Sequence, residues 1–225
     1  MTTTVAVMLS ILAAAARPPG ALAATARPPA PPQLTRLSLP FDGIWGVIQG
    51  FDSGDTHAGY AAYALDFVPA QPKTTKLPPP GAPLAQFACY GRPVLAPADG
   101  VVVRANGDAR DWPAYHEGSD GGNFVIIQHA PHEYSEFRHL AAGSVTLTAG
   151  KRVTRGQVVG RCGNSGNAKT PHLHLGLLSS IDPIQTRPMV FSDYEVVGSD
   201  LAWHSGDGLP RKDQLMRRRT DLRTR

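Results

Sequence analysis

Apolar residues in this chain recur at every second position, in short runs closed by Gly, Pro, Asn and Asp. No stretch keeps the 3.6-residue spacing of a long amphipathic helix. From Phe41 the runs "FDGIWGVIQGFD" and "YALDFVPA" read as strands, the second with Ala64, Asp66 and Val68 on one face. "RPVLAPADGVVVRANGD" reads as strand, Asp99-Gly100 turn, strand. "GGNFVIIQHA" and "EYSEFRHL" follow as two more, and "GKRVTRGQVVGRCG" as two short ones punctuated by Gly150, Gly156 and Gly160. In "PHLHLGLL" a strand period sends His172 and His174 to one face and Leu173 and Leu175 to the other. The pattern predicts a mainly β fold, a compact antiparallel β-sheet domain of barrel or sandwich type with long loops and little helix. Two Pro/Gly/Asp-rich insertions, Gln71 to Arg92 and Asp108 to Gly122, interrupt it.

The ends differ in texture. Val5 to Ala16 is apolar but too short to span a bilayer, and small residues with A-x-A spacing follow at Ala21-Leu22-Ala23 and Ala24-Thr25-Ala26. This predicts a signal peptide over 1–26 and an exported protein, periplasmic or extracellular, with no stable membrane insertion after processing. The rival is an uncleaved anchor, since no Lys or Arg precedes Arg17. Residues 27–40 are rich in Pro and Arg and read as a stiff linker. They precede the β domain over 41–200 and a basic C-terminal tail over 201–225. The formal net charge is +4 and is localised in that tail, so the domain itself is near neutral and does not read as a nucleic-acid binder. The tail reads as solvated, with electrostatic contact to anionic wall or membrane polymers as one expectation.

At 225 residues and 42% hydrophobic composition, the chain can build a sizeable core, which makes a charged residue on an apolar strand informative. Asp66 is such a residue and needs a partner. A catalytic zinc site takes about three protein ligands from His, Asp and Glu and leaves one position open. His57, Asp66 and His174 would complete such a set, with His172 beside it to take a proton or steady the transition state.

The segments "HAGYAAYALDFV", "RPVLAPADGVVV", "GNFVIIQH", "EFRHL", "VTRGQVVGRCGNSGN" and "PHLHLGLL" carry a resemblance. Their order is similar to that of the lysostaphin-type, LytM-like zinc metallopeptidases, which hydrolyse peptidoglycan. The resemblance runs from about His57 to Leu178. It implies a Zn2+ cofactor held by His57, Asp66 and His174, catalytic roles for His139 and His172, and peptidoglycan peptides as partners. It also implies a fold related to the lipoyl-hybrid barrels. Three features depart from the family pattern. His57 and Asp66 are nine residues apart rather than four, the first insertion is long, and Phe137 stands where a tyrosine is frequent.

The other histidines read as structural or solvated: His129 at a strand end, His132, His116 and His204 in polar contexts. In an oxidising compartment Cys89 and Cys162 could bridge and pin the first insertion near the His-x-His strand. Sequence leaves open whether their α-carbons approach closely enough. A non-catalytic wall-binding or hydrolase-regulating member of the same fold is the alternative function. Against it stand all five chemical residues. A cupin would need a glutamate soon after the histidine pair, which "LGLLSSIDPI" lacks.

Overall fold

The alternating runs become antiparallel strands in the computed structural model, which describes residues 32–219 apart from 55, 73–74, 117, 119 and 207–208. The signal-peptide expectation over 1–26 lies outside the described residues. The strands are β1 (Trp45–Gln49), β2 (Leu65–Pro69), β3 (Pro93–Leu95), β4 (Gly100–Asn106), β5 (Asn123–Ala130), β6 (Glu133–Leu140) and β7 (Arg152–Val153). They continue with β8 (Val158–Arg161), β9 (Leu173–Ile181), β10 (Ile184–Arg187), β11 (Tyr194–Val197), β12 (Trp203–Ser205) and β13 (Leu215–Arg218). Helix is confined, among the described residues, to two short 3-10 turns, Gly59–Ala61 and Leu84–Gln86. The fold is therefore mainly β and antiparallel, as the pattern predicts.

One large sheet runs in the order β12-β11-β13-β1-β2-β9-β6-β5-β4-β7, with β10 also paired to β9, while β3 and β8 form a separate pair. The central neighbours β2, β9 and β6 position the chemistry. Leu173, Leu175, Phe67 and Phe137 from these strands are all buried in one core cluster. Phe41 stacks on Trp45 at 4.6 Å and meets Phe67 edge-on at 5.2 Å, which extends that core under β1 and β2. Phe137 packs opposite Leu175 with no exposed surface, so this position is apolar core here.

Both ends of the described chain depart from the sequence expectation. Within the expected linker, Leu37 and Leu39 are buried in the core, and Leu37 forms a parallel bridge with Phe191. The Glu133 carboxylate, fully buried, accepts the main-chain N–H groups of Leu34 at 2.6 Å and Thr35 at 2.8 Å and faces Arg187 at 3.3 Å. Alternating Leu residues after a Pro-rich start give no periodicity long enough to announce this docking. The solvated-tail expectation is corrected over Leu215–Arg218, which pairs with β1 and β11 and buries Met216 completely. Its cations are engaged within the domain. Arg217 pairs with Glu195 at 2.7 Å over the Trp203 ring, Arg218 donates to the Leu39 carbonyl, and Arg219 donates to Ser205 Oγ. Among the described residues no helix is long and apolar enough to cross a membrane.

The insertions are fastened to the sheet and to each other. Cys89 and Cys162 form a disulfide with their α-carbons 5.7 Å apart. Around it, Gly91 N–H donates to the Cys162 carbonyl and Cys162 N–H to the Arg92 carbonyl, both at 2.8 Å. Tyr115 of the second insertion donates its hydroxyl to the Pro78 carbonyl of the first at 2.7 Å.

Candidate metal centre

Sheet register assembles the site. Asp66 on β2 stands directly opposite His174 on β9, so the lone acid and the second histidine of the pair meet across one strand gap. Their side chains form a contact of 3.0 Å between Asp66 Oδ1 and His174 Nδ1. His57 comes from the loop before Gly59–Ala61. The turn at Gly59, with φ +57°, takes up the nine-residue spacing and returns the chain to β2. The His57 ring is completely buried and sits 5.3 Å from that of His174. Its Nδ1–H donates to the Gly50 carbonyl at 3.0 Å, which points Nε2 into the site, 3.2 Å from Asp66 Oδ1.

That Nε2 is buried and makes no hydrogen bond of proper geometry; what faces it at 3.2 Å is a carboxylate oxygen, not a donor. An imidazole lone pair held out of water with no donor costs free energy unless something occupies it. One ligand atom from each of His57, Asp66 and His174 lies within 4.8 Å of the others. Two imidazole nitrogens and a carboxylate oxygen so gathered are the donor set of a catalytic zinc, and a cation would take the place of the proton shared by Asp66 and His174. Burial raises the Asp66 carboxyl, but the imidazoles of His172, His174 and His57 outweigh it and hold it well below the usual carboxylate range. For His57, burial opposes the charged form, yet Asp66 and the Gly50 carbonyl leave its pKa above the ordinary value.

His172 lies just before β9 rather than within it, held by a bridge to Gly163. Its Nδ1–H donates to the Thr170 carbonyl at 2.7 Å, and its Nε2 lies 3.6 Å from Asp66 Oδ2. His139 reaches the same place by a less legible route. In the β6–β9 register Phe137 faces Leu175 on the core side and Arg138 faces His174 on the site side. Regular alternation would send His139 into the core with Phe137. A bulge intervenes, since Arg138 and His139 together stand opposite Phe124 of β5, and His139 takes φ +59°. The ring then lies 4.8 Å from that of His172 and 5.7 Å from that of His174. Its Nδ1–H donates to the Ser165 carbonyl at 2.9 Å, leaving Nε2 as the acceptor nitrogen. Burial, reinforced by His172 and His174, pushes its pKa well below the ordinary histidine value, so the ring is neutral at physiological pH.

All five sequence-designated residues therefore converge. The remaining histidines stay outside. His129 donates to the Asp99 carbonyl and accepts from Ser135 Oγ at 2.9 Å, which makes it a tie between strands. His116 stacks on Trp112, and His204 pairs with Asp200, while His132 sits exposed in a turn. Sequence reasoning missed the carbonyls of Gly50, Ser165 and Thr170, because a main-chain acceptor carries no side-chain signal.

Residues 84–186 match Peptidase family M23. The matched stretch contains His139, His172 and His174; His57 and Asp66 lie before it and are joined to it by the β2–β9 register. Among curated proteins, the chain is 30% identical over 146 residues to the peptidoglycan DD-endopeptidase ShyA of Vibrio cholerae, covering 64% of this chain and 27% of that protein. It is 31% identical over 117 residues to the DD-carboxypeptidase/endopeptidase Mpg of Neisseria meningitidis, covering 51% and 24%. The chain thus spans about a quarter of the length of these relatives. Among solved structures, the deep-sea M23 metalloprotease pseudoalterin aligns with a TM-score of 0.48 at 18% identity, over 78% of this chain and 92% of that one.

Proposed function

Because the chain carries a domain of peptidase family M23, we propose that it is an exported zinc endopeptidase that hydrolyses peptide bonds in the stem peptides or cross-bridges of peptidoglycan. The observation that carries the reading is the buried His57 Nε2, without a hydrogen-bond donor, gathered with ligand atoms of Asp66 and His174 within 4.8 Å. These three side chains would hold the metal. Zinc bound there supplies Lewis acidity toward a peptide carbonyl and lowers the pKa of a water to near neutrality.

The other two histidines do the proton work. Each has its Nδ1–H committed to a main-chain carbonyl, Ser165 for His139 and Thr170 for His172. The tautomer is thereby fixed with Nε2 free to accept. Burial keeps His139 neutral and ready as a base. His172, close to Asp66, can likewise take a proton at Nε2 and, once protonated, return it to the leaving amine or donate it toward the oxygen that gains charge. General acid–base assistance of this kind is worth about 10²–10⁴-fold in rate. The two curated relatives carry names for cleavage of D,D-peptide linkages, which supports peptidoglycan as the substrate class. A purely wall-binding or regulatory domain would give five converging titratable groups no task.

The test is digestion of purified peptidoglycan by the full chain, with new amino groups and new reducing sugar ends counted in parallel. New amines without new reducing ends, abolished by a chelator and restored by zinc, are expected. Activity that survives complete removal of metal, or that releases sugar ends alone, would overturn the reading.

A further inference from the structure

We infer that Asp111, from the second insertion, is a positioning residue for His139, tying together the two segments that aim its ring. The inference rests on His139 acting in the reaction proposed above. The Asp111 carboxylate accepts three hydrogen bonds. Oδ1 takes the main-chain N–H of Asn164 at 2.8 Å, and Oδ2 takes the N–H of Ala142 at 3.0 Å and the hydroxyl of Tyr90 at 2.8 Å.

Two of the three partners lead to His139. Ala142 lies three residues beyond it on the chain leaving β6. Asn164 immediately precedes Ser165, whose carbonyl accepts the His139 Nδ1–H and whose hydroxyl donates to the Leu140 carbonyl at 2.7 Å. The main chain of the insertion runs along the same turn. Asp111 bridges Ser165, Trp112 N–H donates to the Asn164 carbonyl at 3.0 Å, and the Asn164 amide donates back to the Trp112 carbonyl at 2.9 Å. Tyr90 brings in the first insertion, one residue from the disulfide at Cys89. Burial, with Asp111 alongside, pushes the Tyr90 phenol up to about 12, so it remains a donor.

His139 needs such support. A non-glycine residue at φ +59° is strained and persists only where its surroundings over-determine it. With Asp111 removed, the main-chain N–H groups of Ala142 and Asn164 lose their acceptor, and the two segments are held by the Ser165–Leu140 and Ala141–Arg161 hydrogen bonds. The Ser165 carbonyl then meets Nδ1–H at a less fixed place. A misplacement near 1 Å can cost on the order of 10²-fold in rate. The metal residues on β2, β9 and the His57 loop make no contact with Asp111 through this network and should be indifferent to it.

The experiment compares the zinc-loaded full chain with Asp111→Ala, Asp111→Asn and Tyr90→Phe. Three quantities are read: zinc per chain, kcat and KM on peptidoglycan fragments, and the nitrogen-15 signals of the His139 ring. Zinc stays stoichiometric in all three variants. In Asp111→Ala kcat falls roughly ten- to a hundredfold with KM little changed, and the single Nδ1–H tautomer signal gives way to exchange averaging. Tyr90→Phe, which removes one bond of three, recovers most of both, whereas Asp111→Asn keeps one acceptor oxygen but sets its amide N–H against a main-chain N–H donor and falls between Asp111→Ala and wild type. The inference is overturned if Asp111→Ala leaves the ring signals of His139 as they were, if it lowers zinc content, or if it leaves kcat unchanged in an active wild type. The ring signals do not require turnover. A wild type without peptidase activity would refute the functional proposal while the positioning of His139 is still decided by the spectra.

Discussion

Replacing both cysteines by alanine tests how firmly the first insertion is fastened. Cys89 and Cys162 are 73 residues apart in sequence, and the span between them holds the second insertion, His139 and the strands β3 to β8. Closing a loop of that length removes about 15 cal/mol/K from the unfolded chain in the entropy model, or roughly 4 kcal/mol at 25 °C. For a domain of this size each kcal/mol moves Tm by about 2–4 °C, so Cys89→Ala/Cys162→Ala should melt roughly 10–15 °C below the wild type. Both sulfurs are buried, at 1% and 0% residue exposure, so a reductant will not reach them in the native state and substitution is the cleaner perturbation. Denaturant midpoints of wild type, the double variant and both single variants form the assay, with intact mass establishing the oxidation state. The singles should match the double within about 1 kcal/mol, since each already breaks the bridge. Zinc content should hold, because none of the three proposed ligands lies on the bridged loop. A double variant melting within about 3 °C of the wild type would refute the reasoning.

Further outcomes follow from single side chains. Alanine at His57, Asp66 or His174 removes one of only three protein ligands and should abolish zinc retention in dialysed protein, whereas His139→Ala and His172→Ala should keep zinc near one per chain and lose about 10²–10⁴-fold in turnover; elemental analysis beside kinetics checks both. Glu133 carries a lowered pKa: burial raises it, but the Thr35 and Leu34 N–H groups and Arg187 outweigh that. Its contribution is therefore present above the unfolded carboxylate value and lost as pH falls through the folded one. Glu133→Gln should cost about 2 kcal/mol at pH 7, a difference that shrinks as pH drops below about 4.3, read from urea midpoints at each pH. A Cβ at Gly163 would lie 2.3 Å from Ala141 N and Cα, so Gly163→Ala must force the two segments flanking His139 apart. It should destabilise by about 1–3 kcal/mol or more and depress kcat, measured by unfolding and turnover.

Most of the sheet was legible because strand alternation is a local signal. The Asp99-Gly100 turn and the β5 and β6 runs fall where the pattern puts them. The proposed metal residues were legible for two reasons. An acid on an apolar strand is anomalous, and a His-x-His run keeps one facing. The structure adds the cross-strand pairing of Asp66 with His174, which makes those anomalies one cluster. His139 was found through resemblance, since its strand parity points it into the core and only the bulge at Arg138–His139 turns it to the site. The docking of Leu37 against Phe191 and the pairing of Met216 with Trp45 are contacts more than a hundred residues apart in sequence. Proline-rich or arginine-rich composition cannot report such contacts.

In the proposed function, His57, Asp66 and His174 hold the metal for peptide-bond hydrolysis in the wall. Mass spectrometry of muropeptides, after digestion of cross-linked peptidoglycan by zinc-loaded wild type and by Asp66→Ala, tests it most directly. Wild type should convert cross-linked dimers to monomers with one water added per cut and intact glycan, while Asp66→Ala leaves the dimers in place. An unchanged profile from zinc-loaded wild type, or the same products from Asp66→Ala, would contradict it.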